Sequence, residues 1–147
     1  MIFISHRGNM FGPNPDDENK KDYILNTLNK KFEVEVDLWF KNNKFYLGHD
    51  EPLYEIKIDF FGKNKFWIHA KNIECFYELS KYDLNFFWHE NDQIILTSKG
   101  YFWNYPGTKL SDKSICVLPE KTNVKKIDCL GICSDYIQNY YDRYNNF

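Results

Sequence analysis

His6-Arg7, Glu35-x-Asp37, His49-Asp50 and His69-x-Lys71 are the pairs in this sequence whose side chains could do chemistry. An imidazole has an ordinary pKa of about 6.5, so His6 and His49 could serve as acid and base near neutrality. Residues i and i+2 on a strand point to one face, roughly 6–7 Å apart. Glu35 and Asp37 could therefore converge on one hard cation such as Mg²⁺ or Ca²⁺. Without a cation the two carboxylates would repel and resist burial. Arg7 and Lys71 carry the positive charge that a phosphoryl group requires, and Arg7 can bind two oxygens at once. Asp50 is placed to orient the His49 loop or an imidazole. A plainer reading makes Glu33, Glu35 and Asp37 the solvated face of an amphipathic strand, and any single histidine a hydrogen-bonded packing residue. The company of His6, Arg7, His49 and Lys71 favours a shared site.

These residues need elements to position them, and the pattern places them at strand ends. Ile2-Phe3-Ile4 reads as a short strand that stops at Ser5-His6-Arg7-Gly8. The segment 9–17, with Gly12, Pro13 and Pro15, cannot be regular structure. Asp16 or Asp17 could cap a helix running to about Lys30, with Ile24, Leu25 and Leu28 on one face. Phe32 to Phe40 alternates with period two, Asn42-Asn43 is a turn signal, and Lys44 to Leu47 returns as a second strand. Phe66 to Ala70 is a further strand, and Asn72 could cap a helix to about Tyr82. Short strands are expected over 85–88, 93–97, 101–104, 114–118 and 130–133, with a last helix over 136–144. His89-Glu90 and Ser134-Asp135 also fall at strand ends, where the active sites of parallel α/β sheets gather. Only the gaps after His6 and after Lys71 hold a crossover helix of about a dozen residues. The expected class is α/β with incomplete helices, in a single domain spanning 1–147.

Composition narrows the function further. The chain has 147 residues, 43% hydrophobic and 19% aromatic, which is enough for a core rich in flat rings. A net charge of −2 gives no electrostatic reason to expect nucleic-acid binding. No apolar run is long enough for a spanning helix. The N-terminus lacks the pattern of a signal peptide, so a cytoplasmic protein is expected. Cys75, Cys116, Cys129 and Cys133 then read as free thiols. Cys129 and Cys133 have no second Cys/His pair at zinc spacing and read as small apolar residues.

In order, His6-Arg7-Gly8, Glu18-Asn19, Glu35-x-Asp37 and His49-Asp50 resemble the opening of the glycerophosphodiester phosphodiesterases, within the wider phospholipase-C-like superfamily of TIM-type barrels. That family shows HRG, a P-E-N-T segment, E-x-D in the second strand and H-D after a hairpin. A later strand carries E-x-K, and the last strand ends near T-D-x-P, which Ser134-Asp135 resembles. The resemblance covers residues 2–50, and also 66–72 and 130–136; between Phe87 and Glu120 no motif matches. It implies His6 and His49 as acid and base, Glu35 and Asp37 on a divalent metal, Arg7 and Lys71 on phosphate, and Glu18 in support. The implied reaction attacks a small phosphodiester substrate with a neighbouring hydroxyl or water. The implied fold is a reduced or irregular TIM-type (β/α) barrel with several outer helices missing, since a full barrel needs about 250 residues.

Three departures shape the expectation. His69 stands where the family has a metal-binding Glu; an imidazole suits Zn²⁺ or Mn²⁺ better than Mg²⁺ or Ca²⁺. Either His69 binds a different metal, or it is no ligand, or Glu90 or Asp135 fills the gap. Asp17 and Lys20 stand where the family has Pro and Thr. The short chain implies either partner subunits, as in a homo-oligomer, covering the barrel flank, or Trp39, Trp67, Trp88 and Trp103 sealing it. Tyr101 to Gly107 could form a mobile aromatic lid. Two other readings are open: a degenerate barrel that binds phosphate without turnover, and a sugar-phosphate or polysaccharide-related protein using the same site.

Overall fold

A period of two runs through almost every strand, and it decides which side chains share the inside of the molecule. The computed structural model describes residues 1–62, 65–124 and 126–146. Its strands are β1 (Ile2–His6), β2 (Glu33–Lys41), β3 (Lys44–Leu47), β4 (Tyr54–Ile56), β5 (Phe66–Ala70), β6 (Phe86–Phe87), β7 (Ile94–Leu96), β8 (Phe102–Asn104), β9 (Ser114–Val117) and β10 (Gly131–Ser134). Its helices are α1 (Lys21–Asn29), α2 (Ile73–Leu79) and α3 (Ile137–Asn145).

A parallel ladder runs β6-β5-β2-β1-β10-β9-β8. Antiparallel pairs add β3 and β4 beside β2, and β7 beside β8. The result is a mixed sheet curled into a half-barrel, mostly strand. The expected TIM-type barrel with alternating helices is therefore incorrect. Its physical reason lies in the connections. Asn42 and Asn43, both at positive φ (52° and 59°), make a tight hairpin turn that returns β3 antiparallel. The link from Leu96 to Phe102 is too short for a crossover, so β7 and β8 also pair antiparallel. Among its described residues, the link from β9 to β10 holds only a 3₁₀ turn at Pro119–Lys121. Between β6 and the β7–β8 pair no ladder forms among the described residues, and the Ser98 N–H to Phe86 O bond of 2.9 Å spans the seam.

The sheet has an apolar convex face. Val34, Val36, Leu38, Phe66 and Ile68 pack against Ile24 of α1 and Cys75 and Leu79 of α2. Ile132 packs against Ile137 of α3, joined by Phe3, Tyr140 and Tyr144. The concave face is layered. Ile4, Trp67, Phe87, Trp103, Ile115, Val117 and Cys133 fill its floor. Trp103 lies 4.8 Å from the Phe87 ring and 5.7 Å from Trp67, so aromatic faces plug the centre. Gly131 makes room for this floor: a Cβ there would meet Ile2 O at 2.8 Å and Ile115 Cδ1 at 2.9 Å.

Three local expectations need correction. α1 begins at Lys21 and not at an Asp16 or Asp17 cap; Pro15 to Asn19 is a turn, and the Asp17 carboxylate accepts from Asn14 and Lys20 instead. Residues 101–107 form no lid: Trp103 is 1% exposed in the floor and Tyr105 is held by His89. Of the tryptophans, Trp67 and Trp103 are core and Trp39 and Trp88 half-buried. β4 was not legible as a strand. The Asn72 cap of α2 is found, accepting from the Cys75 N–H at 3.3 Å. No helix among the described residues is long and apolar enough to cross a membrane.

Candidate active site

Two residues beyond the apolar floor, the same strands turn polar. Ile4 is followed by His6, Trp67 by His69 and Lys71, Phe87 by His89, Trp103 by Tyr105 and Cys133 by Asp135, while β2 brings in Glu35 and Asp37 after Glu33, whose carboxylate accepts from Trp67 Nε1. The register sets His6 beside Glu35 and Asp37 beside His69. These side chains line one cleft of about 760 Å³ at the carboxyl ends of the parallel strands.

His49 reaches the cleft by a different route. β2 runs past the parallel layer as an overhang, and the hairpin brings β3 back until Leu47 pairs with Leu38. The Gly48 N–H then bonds Asp37 O at 3.2 Å, and Trp39 Nε1 donates to Gly48 O at 2.6 Å. This hairpin sets His49 level with Asp37, its Nδ1 3.3 Å from Oδ2.

Arg7 turns at positive φ (57°), a conformation that non-glycine residues adopt sparingly and that clusters at functional sites. Its Nε stands 2.9 Å from Asp37 Oδ2 as an ion pair without hydrogen-bond alignment. One of its terminal nitrogens donates to Glu18 Oε2 at 3.3 Å, and the other faces the edge of the His49 ring, 2.7 Å from Nδ1 and 3.3 Å from Nε2. His49 is thus held between Arg7 and Asp37. His6 is held at the other side: its Nδ1 lies 2.7 Å from Asp135 Oδ1, and its Nε2 3.8 Å from Glu35 Oε2. Burial alone would lower the His6 pKa, but the Asp135 hydrogen bond and the Glu35 charge raise it above its ordinary value.

Glu35 and Asp37 are 2% and 1% exposed. They are not the solvated face of a strand; the alternation turns them inward. Burial, and then the neighbouring Asp37 charge, push Glu35 up to about 7. Burial opposes ionisation of Asp37 too, yet the His49 and His69 contacts and the Arg7 charge hold it well below the usual carboxylate range. Asn19 donates to Asp37 Oδ2 at 3.0 Å, so the Glu18-Asn19 pair serves both Arg7 and Asp37. Lys71 Nζ stands 3.9 Å from Asp37 Oδ1, outside hydrogen-bond reach.

The donor set fits a divalent cation. Glu35 Oε2 and Asp37 Oδ1 are buried without a hydrogen-bond partner. One ligand atom each from Glu35, Asp37 and His69 lies within 4.8 Å of the others. Six acidic side chains (Glu18, Glu35, Asp37, Asp50, Glu51, Asp135) face three basic ones (Arg7, Lys71, Lys121) in the cleft. Burial lowers the His69 pKa, against the Asp37 contact, so its ring is neutral and able to ligate.

Asp50 and Asp135 line the cleft as well, whereas Glu90 does not. The Asp50 side chain is 93% exposed, 3.6 Å from His49 Nε2. Glu90 is exposed and does not line the cleft, so it fills no gap. Asp135 is engaged by His6 and by Asn9 Nδ2 at 2.8 Å. Cys129 and Cys133 are free, without zinc partners among the described residues. Sequence reasoning missed Asn9, Tyr105 and Glu120. Glu120 fixes the Asp135 loop by accepting from Ser134 Oγ and the Asp135 N–H, both at 3.0 Å. Only Asn19 among the supporting amides carried a signal, as part of the Glu18-Asn19 motif.

No protein-family model matches the chain, and neither does any curated protein or solved structure.

Proposed function

We propose that this protein is a metal-dependent phosphodiesterase, of the glycerophosphodiester type, acting on a small phosphodiester. The observation that carries this reading is the pairing of two differently held imidazoles across two orphaned carboxylate oxygens in one cleft. His6, with Nδ1 held by Asp135, takes the proton from the attacking hydroxyl or water at Nε2. The attacking oxygen bonds to phosphorus as the bond to the leaving alcohol breaks. His49, held between Arg7 and Asp37, gives a ring proton to the departing oxygen. Lys71, less engaged by the carboxylates than Arg7, holds a phosphate oxygen. A divalent ion held by Glu35, Asp37 and His69 supplies Lewis-acid stabilisation of charge on the phosphoryl oxygens. The free thiols accord with a cytoplasmic setting.

One observation favours phosphate binding at Lys71 without turnover: little of Arg7 is free to meet the charge that develops in a transition state. The Arg7 guanidinium is already engaged by Asp37, Glu18 and His49. Turnover separates the two readings. Bis(p-nitrophenyl) phosphate and glycerophosphocholine are to be assayed with a metal titration. Hydrolysis that needs a divalent ion and vanishes in both His6→Ala and His49→Ala is expected. Activity that persists in both variants removes the phosphodiesterase reading, and phosphate binding without hydrolysis establishes the other.

A further inference from the structure

The cation site proposed above has an uneven set of donors, and that unevenness selects the metal. Two donors are carboxylate oxygens, Glu35 Oε2 and Asp37 Oδ1, both buried and without a hydrogen-bond partner. The third is an imidazole, with His69 Nδ1 3.3 Å from Asp37 Oδ1. Hard ions build their shells from oxygen, six to eight ligands for Ca²⁺ and near-octahedral oxygen for Mg²⁺. Of the enclosed carboxylates only Glu35 and Asp37 are free to join such a shell, so water would have to supply most of the remaining oxygens while the His69 nitrogen stood among them. Asp135 is taken by His6 and Asn9, and Glu18 by Arg7 and Asn9. Three protein donors with one nitrogen instead match a four-coordinate ion of intermediate softness that keeps one position open.

The imidazole is also fixed in place. The His69 ring lies parallel to Phe87 (10°, centroids 5.1 Å apart) and to His89 (13°, 4.5 Å). His89 is itself tied to the Tyr105 hydroxyl at 2.9 Å. This stack holds the ring beside the two carboxylates, so His69 cannot easily swing aside to admit further oxygen ligands.

We propose that Glu35, Asp37 and His69 form a borderline transition-metal centre that takes Zn²⁺ before Mn²⁺, and either before Mg²⁺ or Ca²⁺. The proposal rests on the cation site of the phosphodiesterase reading but stands or falls separately from the reaction.

Calorimetric titration of the metal-free full chain with each of the four chlorides tests it. Zn²⁺ is expected to bind about tenfold tighter than Mn²⁺, and at least about a hundredfold tighter than Mg²⁺ or Ca²⁺. His69→Glu makes the set all oxygen and is expected to cut the Zn²⁺ advantage at least about tenfold. Glu35→Gln is expected to lose the tight site. X-ray absorption at the zinc edge of the loaded wild-type protein is expected to show oxygen and imidazole nitrogen, and it needs no variant to fold. Mg²⁺ or Ca²⁺ binding as tightly as Zn²⁺, an unchanged order in His69→Glu, Zn²⁺ retained by Glu35→Gln, or sulfur in the zinc shell each overturns the proposal. Phosphodiester hydrolysis driven by a more tightly bound Mg²⁺ overturns it and leaves the phosphodiesterase reading standing. Selective Zn²⁺ binding without hydrolysis supports it and removes that reading.

Discussion

At the scale of single residues, the environment of each carboxylate sets its work. Asp135 orients His6 and raises its pKa, so His6 is protonated, and idle as a base, below that raised value. Activity is expected to climb as pH rises through a value above the ordinary 6.5 of histidine. Asp135→Asn removes the main raising influence. Its pH–rate profile is expected to move that limb to lower pH and to lose about 10²-fold or more in rate. An unmoved limb counts against the role of Asp135.

Glu35 offers a test that does not need turnover. Its folded-state pKa is raised, to about 7. The stability it contributes is therefore fully present below the ordinary carboxylate value and is lost as pH rises through about 7. In metal-free protein, Glu35→Gln is expected to match wild type in thermal unfolding near pH 4 and to be more stable by about 3 kcal/mol above pH 8. A pH-independent difference removes the account of Glu35 as a buried, repelled carboxylate. The Glu35-x-Asp37 pair was legible in the sequence because period two alone puts both on one face. The Asp135–His6 contact was not, because it joins residues 129 apart through the β1–β10 pairing, which no local pattern records.

At the scale of elements, the sheet depends on contacts between neighbours that are distant in sequence. Asn72 caps α2 and also clamps the β2 overhang: its Nδ2 donates to Phe40 O at 2.8 Å and its Oδ1 accepts the Phe40 N–H at 3.1 Å. Asn72→Ala loses the cap and both bonds, and chemical denaturation is expected to report about 2 kcal/mol of destabilisation. Gly131→Ala is expected to cost about 1–3 kcal/mol, because the new Cβ meets Ile2 O and the Ile115 side chain in the middle of the ladder. Wild-type stability in either variant shows that the packing tolerates what the distances forbid. The capping Asn72, the Asn42-Asn43 hairpin and the first strands were readable, since each rests on local chemistry. The curl of the sheet was misread. The strands near 93–104 were found, but their connection lengths, which dictate antiparallel pairing, were read as trimmed helices of a parallel barrel.

At the scale of the whole molecule, buried carboxylates that repel each other would tie folding to occupancy of the proposed cation site. A ligand at a hundred times its dissociation constant stabilises the folded state by about 2.7 kcal/mol. For a chain of this size that is a rise in melting temperature of roughly 5–10 °C. Scanning calorimetry with chelator and then with a saturating divalent ion is expected to show that rise in wild type and not in Glu35→Gln. Equal melting in the two conditions sinks the cation site.

The two imidazoles are mounted on supports of different kinds. His6 ends the central strand of the curl, flanked by β2 and β10, whereas His49 rides the end of a hairpin that leaves the curl and returns. In the proposed reaction, base and acid would thus be mechanically separable parts. Lengthening, shortening or resculpting the turn at Asn42-Asn43 and the stretch after Leu47 would alter which alcohol is received on the departing side, while the proton-accepting half kept its footing. If the proposed reaction holds, a chain this small could in that way diversify its products by editing one protruding finger.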